Sequence, residues 1–99
     1  MKPEYILNGN KIFNEKSFYN EVEKQLTLGL TWKIGRNLNA FNDVLRGGFG
    51  QFDCDEKIIL KWINFSKSEE KLDINFLTRV IEIIEEHVDI TFIKISHLK

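Results

Sequence analysis

The run KIILKWI, residues 57–63, constrains the fold more than any other part of the sequence. It is almost entirely apolar, which is typical of a strand that is covered on both faces in a parallel sheet. Two further β-prone runs, EYIL at residues 4–7 and DITFIKI at residues 89–95, are separated from it by segments with helical spacing. Strands separated by helices pair in parallel, through crossovers that are right-handed in nearly all cases. The sequence therefore predicts an α/β fold, a three-stranded parallel sheet with three to four helices packed on it.

Apolar residues recur at helical spacing between these strands. The first helix is expected to begin at Asn14 or Ser17, because either side chain can accept hydrogen bonds from the free N–H groups of the first turn. Gly29 is expected to end that helix. The segment SKSEEKL, residues 66–72, is expected to form one or two helical turns, and a longer helix then reaches His87. The apolar stripes consist of Phe18, Val22, Leu26 and Leu30 in the first helix, and of Leu77, Val80, Ile81 and Ile84 in the last.

Length and charge exclude several classes of partner. The chain has 99 residues, enough for one domain spanning residues 1–99, and its net charge is −1. It lacks the basic patch of a nucleic-acid binder. No apolar run approaches the roughly 20 residues of a membrane span, and the N-terminus turns polar before a signal-peptide core could form. We therefore expect a cytoplasmic protein that binds neither nucleic acid nor a membrane.

The sequence carries no recognisable catalytic or cofactor-binding motif. The NGN segment at residues 8–10 lacks the spacing of a phosphate-binding loop, and GGFG at residues 47–50 follows a helix instead of opening one. Consecutive helical side chains point about 100° apart, so EEH at residues 85–87 cannot close on one metal ion. His87 is interpreted as a residue whose positive charge is favoured near a helix C-terminus. Cys54, the only cysteine, is interpreted as an incidental thiol. Neither an enzyme nor a cofactor is predicted.

The segment GRNLNAFNDVLRGG, residues 35–48, contains three asparagines and a single carboxylate, that of Asp43. Asn37 is a good N-cap for a helix that runs through Arg46, and Gly47-Gly48 is expected to end it. One face of this helix is apolar, formed by Leu38, Phe41, Val44 and Leu45. In an arbitrary helix, a solvated residue is the ordinary interpretation of Asp43.

Four blocks carry a resemblance to a known family. They are YILNG, GRNLNAFNDVLRGG, IILKWINF and VIEIIEEHVDITFI, which lie between Tyr5 and Ser96. Their order and spacing resemble those of the barstar family, which are bacterial inhibitors of secreted ribonucleases. The most specific part is the pattern of Gly35, Asn37, Leu38, Ala40 and Asp43. The resemblance implies a single barstar-like domain that inhibits a bacterial ribonuclease as an immunity-type protein, and that is a monomer when free.

The resemblance also implies which residues bind the partner. In barstar-like proteins the second helix and the loop before it cover the active site of the ribonuclease. Asp43 is similar to the central anionic anchor, which takes the place of the RNA phosphate, and Glu82 is similar to the acid that supports binding from the last long helix. Glu86 lies one helical turn beyond Glu82 and shares its face. The expected partner-binding residues are Trp32, Ile34, Gly35, Asn37, Asn39, Asn42, Asp43, Gly47, Glu82 and Glu86.

Several residues depart from the family pattern. Asn39 stands where the family has a second acid, Arg36 where the best-known member is acidic, and Asn42 where that member has an exposed aromatic residue. Residues 33–34 replace an aromatic pair, and Trp32 either packs under the loop or anchors the interface. Because residues 35–50 carry a net charge of +1, the alternative is a barstar-like regulatory module that binds a protein other than a nuclease.

Overall fold

The computed structural model describes residues 2–27, 37–46 and 56–97. Its strands and helices follow the predicted order. They are β1 (Glu4–Asn8), α1 (Glu15–Leu26), α2 (Leu38–Leu45), β2 (Ile58–Ile63), α3 (Phe65–Lys71), α4 (Ile74–Glu85) and β3 (Ile90–Lys94), with a 3₁₀ turn over Gly9–Lys11. The predictions for Gly29, Leu30, the loop at residues 30–36, Gly47-Gly48 and Cys54 lie outside the described residues.

The three strands form one parallel sheet in the order β1-β2-β3. Tyr5 of β1 lies opposite Leu60 of β2, and Leu60 lies opposite Phe92 of β3. The predicted three-stranded parallel sheet is therefore confirmed. Its most apolar strand, β2, is the central one, because only that strand has a neighbour on each side.

Strand β2 is buried on one face only, so the prediction of a strand covered on both faces was wrong. Ile58, Leu60 and Trp62 are fully buried, whereas the alternating residues Ile59, Lys61 and Ile63 keep part of their surface in contact with solvent. The buried row joins a single core that also contains side chains of α1, α2 and α4. On the opposite face, Lys61 Nζ lies 2.8 Å from Glu4 Oε1. The fold therefore has two layers, helices and sheet.

Phe18 of α1 is the centre of the aromatic core. Its ring lies 5.1 Å from that of Phe41 on α2, 5.5 Å from that of Phe76 on α4 and 6.0 Å from that of Trp62 on β2, measured between centroids. The contacts with Phe41 and Phe76 are edge-to-face, an arrangement that aromatic pairs favour. One side chain thus fixes α2 and α4 relative to the sheet.

Helix α1 uses both of its predicted capping residues. Asn14 Oδ1 accepts from the Ser17 N–H at 2.7 Å, and Ser17 Oγ accepts from the Asn14 N–H at 3.0 Å. This reciprocal arrangement satisfies two N–H groups that have no partner within the helix. Asn14 is the N-cap, and Ser17 lies in the first turn.

The junction between β2 and α3 is held by a buried polar chain. Trp62 Nε1 donates to Ser68 Oγ at 3.1 Å, and Ser68 Oγ donates to the carbonyl oxygen of Gly9 at 3.2 Å. Asn64, between the strand and the helix, has φ = 51°, a left-handed conformation that asparagine tolerates better than most residues. The 3₁₀ turn after β1 is therefore joined closely to the start of α3.

Replacing Glu21 by Ala is expected to lower the free energy of unfolding by about 1–3 kcal/mol. Glu21 is only 3% exposed, and its Oε2 accepts from the Asn8 N–H at 2.9 Å. Its loss would leave that partly buried donor without a partner. Urea denaturation would measure the effect, with Glu70→Ala on the exposed side of α3 as the control. Equal stabilities of the two variants would contradict the prediction.

Candidate functional site

Helix α2 begins as predicted and presents Asp43 to solvent. Asn37 is the N-cap, and its Oδ1 accepts from the Ala40 N–H at 2.8 Å. Phe41, Val44 and Leu45 are buried in the core, while 52% of the Asp43 side chain is exposed. The apolar face therefore holds the helix in place, and the carboxylate on the other face is accessible to a docked protein.

Arg46 is the nearest cation to Asp43 among the described residues. Its Nη1 lies 3.9 Å from Asp43 Oδ1, and both side chains are more than half exposed. An exposed pair at this spacing contributes about 0.2–0.5 kcal/mol on a helix. Arg46 also caps the C-terminus of α2, where a positive charge is favourable. The pair is weak enough for a partner to displace Arg46 from Asp43.

Asn42, next to Asp43, is joined to the turn that follows α4. Its Oδ1 lies 2.6 Å from His87 Nε2, and both side chains are partly buried. Because an amide oxygen only accepts, Nε2 carries the proton and donates. This contact between residues 45 positions apart links the helix that carries Asp43 to the end of α4.

Glu82 and Glu86 lie on the last turn and at the C-cap of α4, a helix that packs against α2. Glu82 Oε1 accepts from Arg79 Nη1 at 3.0 Å, and 52% of the Glu82 side chain is exposed. Glu86 is also exposed. The two acids are therefore accessible, on an element that neighbours α2.

A cleft of about 390 Å³ lies between the end of α2 and the turn before β3. Its charged lining groups come from three parts of the chain: Arg46 from α2, Glu56 from the segment before β2, and Glu86 and Asp89 from the ends of the turn. His87 forms part of the same wall. Leu45, Val88 and Ile90 complete the lining, so the cleft combines apolar surface with charged groups that are predominantly acidic.

The cleft lowers the pKa of His87 from its ordinary value of about 6.5. Burial is the main cause, and the positive charge of Arg46 acts in the same direction, against the opposing effects of Glu86 and Asp89. Helix α4 ends at Glu85, so His87 lies beyond it. The interpretation of His87 as a favoured cation at a helix end was therefore wrong, because burial and Arg46 outweigh the negative groups around the ring.

Stability is expected to fall between pH 7.5 and pH 5.5 more steeply in the wild type than in His87→Gln. Since the pKa of His87 is lower in the folded state, the unfolded state binds more protons below about pH 6.5. Protonation thus favours unfolding as the pH decreases, and the cost is absent above that range. Urea midpoints of both proteins at the two pH values would measure the difference. Parallel profiles would contradict it.

One sequence comparison identifies the family. The profile of the family described as Barstar (barnase inhibitor) matches residues 3–92. The chain belongs to the barstar family. Barstar-family proteins are inhibitors of ribonucleases and not enzymes, so the family gives this chain a ribonuclease as its class of partner. No curated protein matches the sequence closely enough to provide a named relative.

The barstar-family resemblance assigned ten residues to partner binding, and the structure describes six of them. Asn37, Asn42 and Asp43 lie on or at the start of α2, with Asn39 exposed on its first turn. Glu82 lies on the neighbouring α4, and Glu86 is the C-cap of that helix. Asn42 is only partly exposed, because its amide contacts His87. The predictions for Trp32, Ile34, Gly35 and Gly47 lie outside the described residues.

Two residues in contact with Asp43 and Asn42 were not among the predicted partner-binding residues. The spacing of three residues between Asp43 and Arg46 could have indicated their ion pair. His87 gave no local signal, because its contact with Asn42 depends on the packing of α2 against the end of α4. Within the described ranges, no three His, Cys, Asp or Glu residues are grouped to hold a metal ion, and no helix could span a membrane.

Proposed function

We propose that the protein inhibits a bacterial ribonuclease by covering its active site with the segment from Gly35 to Gly47. In this mechanism the Asp43 carboxylate takes the place of the RNA phosphate, and Glu82 and Glu86 contact the flank of the enzyme. The observation that carries the proposal is the exposed carboxylate of Asp43 on a helix whose other face is packed in the core. The family match gives the class of partner.

The chemistry of a ribonuclease active site fits this arrangement. An enzyme that cleaves a phosphodiester must stabilise negative charge, and a carboxylate in that position can form short, charge-assisted hydrogen bonds with its cationic groups. Helix α2 is capped by Asn37 and packed through Phe41, so little conformational entropy is lost when Asp43 binds. In this mechanism the remaining proposed contacts are Trp32, Ile34, Asn39 and Asn42.

An immunity role determines where and when the inhibitor meets the ribonuclease. The inhibitor would act in the cytoplasm of the cell that makes the toxic ribonuclease, as a monomer that meets the enzyme before export. No cofactor is required, because inhibition consists of occlusion of the active site and neutralisation of its positive charge.

The test is a capture experiment followed by an enzyme assay. The immobilised protein would be exposed to lysates of bacteria that secrete ribonucleases and to purified barnase, and the captured material would be assayed for RNA cleavage with and without added inhibitor. We expect stoichiometric binding of a ribonuclease whose activity is lost in the complex. The absence of inhibition for every ribonuclease tested would contradict the proposal.

A regulatory module with a partner that is not a nuclease is the second candidate. The charge of the binding segment favours it, since residues 35–50 carry a net charge of +1 and Arg46 is exposed beside Asp43. The cationic pocket of a ribonuclease would attract an acidic binding surface more strongly than it would attract this positively charged segment. Capture of a defined partner that lacks RNA-cleaving activity and loses its affinity on Asp43→Asn would favour this candidate.

A further inference from the structure

The two halves of the proposed binding surface belong to different elements, and a side-chain hydrogen bond joins them. Asp43 lies on α2, whereas Glu82 and Glu86 lie at the end of α4. His87 follows Glu86 directly and donates from Nε2 to Asn42 Oδ1 at 2.6 Å. The bond thus reaches from the acidic end of α4 to the residue next to Asp43.

This hydrogen bond determines which way the amide of Asn42 faces. With Oδ1 accepting from His87, the Nδ2 group lies on the other side of the amide, and it makes no hydrogen bond to any residue that the structure describes. No buried side-chain nitrogen or oxygen in the described ranges lacks a partner, so Nδ2 is in contact with solvent. Without His87, the amide could rotate and present its oxygen instead.

The orientation does not depend on the charge of the imidazole. Both the neutral ring with a proton on Nε2 and the doubly protonated ring can donate from Nε2. The charged groups around the ring are Arg46 from α2, Glu56 from the segment before β2, Glu86 from the end of α4 and Asp89 from the segment before β3. Ionised carboxylates only accept, and the hydrogen bond that reaches Asn42 Oδ1 from the described residues comes from His87.

We propose that His87 is a positioning residue for partner binding, which holds the Asn42 amide so that its Nδ2 donates to the partner beside the Asp43 contact. The target then supplies an acceptor oxygen, a backbone carbonyl or a carboxylate, next to the cationic group that binds Asp43. This inference rests on the proposed function, because it names a specificity contact of the same surface.

A double-mutant cycle tests the inference. Affinity would be measured for barnase and for any ribonuclease that the capture experiment recovers, with the wild type, His87→Ala, Asn42→Ala and the double variant. A neutral hydrogen bond contributes about 0.5–1.5 kcal/mol, so each single variant is expected to bind roughly 2- to 12-fold more weakly. Because His87 acts through Asn42, the double variant should bind as well as Asn42→Ala. His87→Gln, whose amide can donate in place of the ring, should recover part of the loss.

Two results would overturn the inference. Losses that add in the double variant would show that His87 acts on the fold or on the partner independently of Asn42, and unchanged affinity of His87→Ala would show no role at all. Thermal denaturation of the four proteins would show whether each variant is still folded at the temperature of the binding measurement, so that a loss of affinity is not caused by unfolding.

A measurement on the free protein distinguishes failure of this inference from failure of the proposed function. Nitrogen NMR should find the His87 proton on Nε2, and His87→Ala should shift the Asn42 amide resonances. If those shifts are seen but the wild type inhibits no ribonuclease, the proposed function and the Asn42 partner contact are both wrong, while the orienting bond is correct. If ribonuclease is inhibited and the proton lies on Nδ1 alone, only the inference is wrong.

Discussion

Replacing Asp43 by Asn is expected to weaken binding of the ribonuclease by at least about 30-fold, with a loss of several thousand-fold at the upper end. The estimate follows from the 2–5 kcal/mol lost when one member of a buried charge pair is truncated, a range for which the barnase–barstar complex is itself a defining case. The substitution keeps the shape of the side chain and removes its charge. Positive groups of the enzyme would then be buried without their anionic partner.

The effect of Asp43→Asn should be confined to binding. Because the side chain is half exposed and its ion pair with Arg46 is weak, we expect the melting temperature to change little. Glu70→Gln, on the exposed side of α3, removes the same charge outside the proposed surface and is the matched control. Calorimetric titration and an RNA-cleavage assay would compare both variants with the wild type. Equal inhibition by Asp43→Asn and the wild type would refute the phosphate-mimic mechanism.

Replacing Gly9 by Ala is expected to lower the free energy of unfolding by about 3 kcal/mol or more, at the upper end of the range for overpacking. A Cβ on Gly9 would lie 2.6 Å from the carbonyl carbon of Asn64 and 2.8 Å from the carbonyl oxygen of Ile63, and it would overlap the carbonyl oxygen of Asn64. All three atoms belong to the backbone, so none can move as the end of a flexible side chain could.

The junction around Gly9 is also held by hydrogen bonds that a displacement would strain. The Phe65 N–H donates to the carbonyl oxygen of Ile95 at 2.9 Å, and the carbonyl oxygen of Gly9 accepts from Ser68 at 3.2 Å. At about 4–8 °C per kcal/mol for a domain of this size, the melting temperature should fall by at least about 12 °C. Asn10→Ala, at the exposed neighbouring position, is the control. A fall of only a few degrees for Gly9→Ala would show that the turn can move away from α3.

The features of the fold that depend on neighbouring residues could be predicted from the sequence. Asn37 and the apolar spacing of α2 predicted both the start of that helix and the face that is buried, because capping and amphipathicity depend on neighbouring residues. The order of strands and helices was enough to predict parallel pairing. The resemblance to the barstar family placed Asp43 on a surface, and its half-exposed side chain agrees with that prediction.

The remaining features depend on contacts between distant residues. NGN indicated a turn. Glycine is needed at residue 9 because a Cβ there would collide with the backbone of Asn64, which lies between β2 and α3. Glu21 lies on the polar side of its helical pattern, so nothing local predicts that it is buried and accepts from the Asn8 N–H. His87 and Asn42 likewise meet only because α2 packs against α4.

The strand order has a consequence for how the chain acquires its fold during synthesis. Residue 4 pairs with residue 59, and residue 58 pairs with residue 90, so neither pair of strands can form from a short nascent segment. Helices α1 and α2 need only local contacts, but the surface beneath them is absent until β2 has been translated. A two-stranded sheet is marginal in water when isolated, and β3 completes the layer under the helices. We therefore expect long-range loop closure to limit the rate of folding, and this protein to fold more slowly than helical domains of equal length.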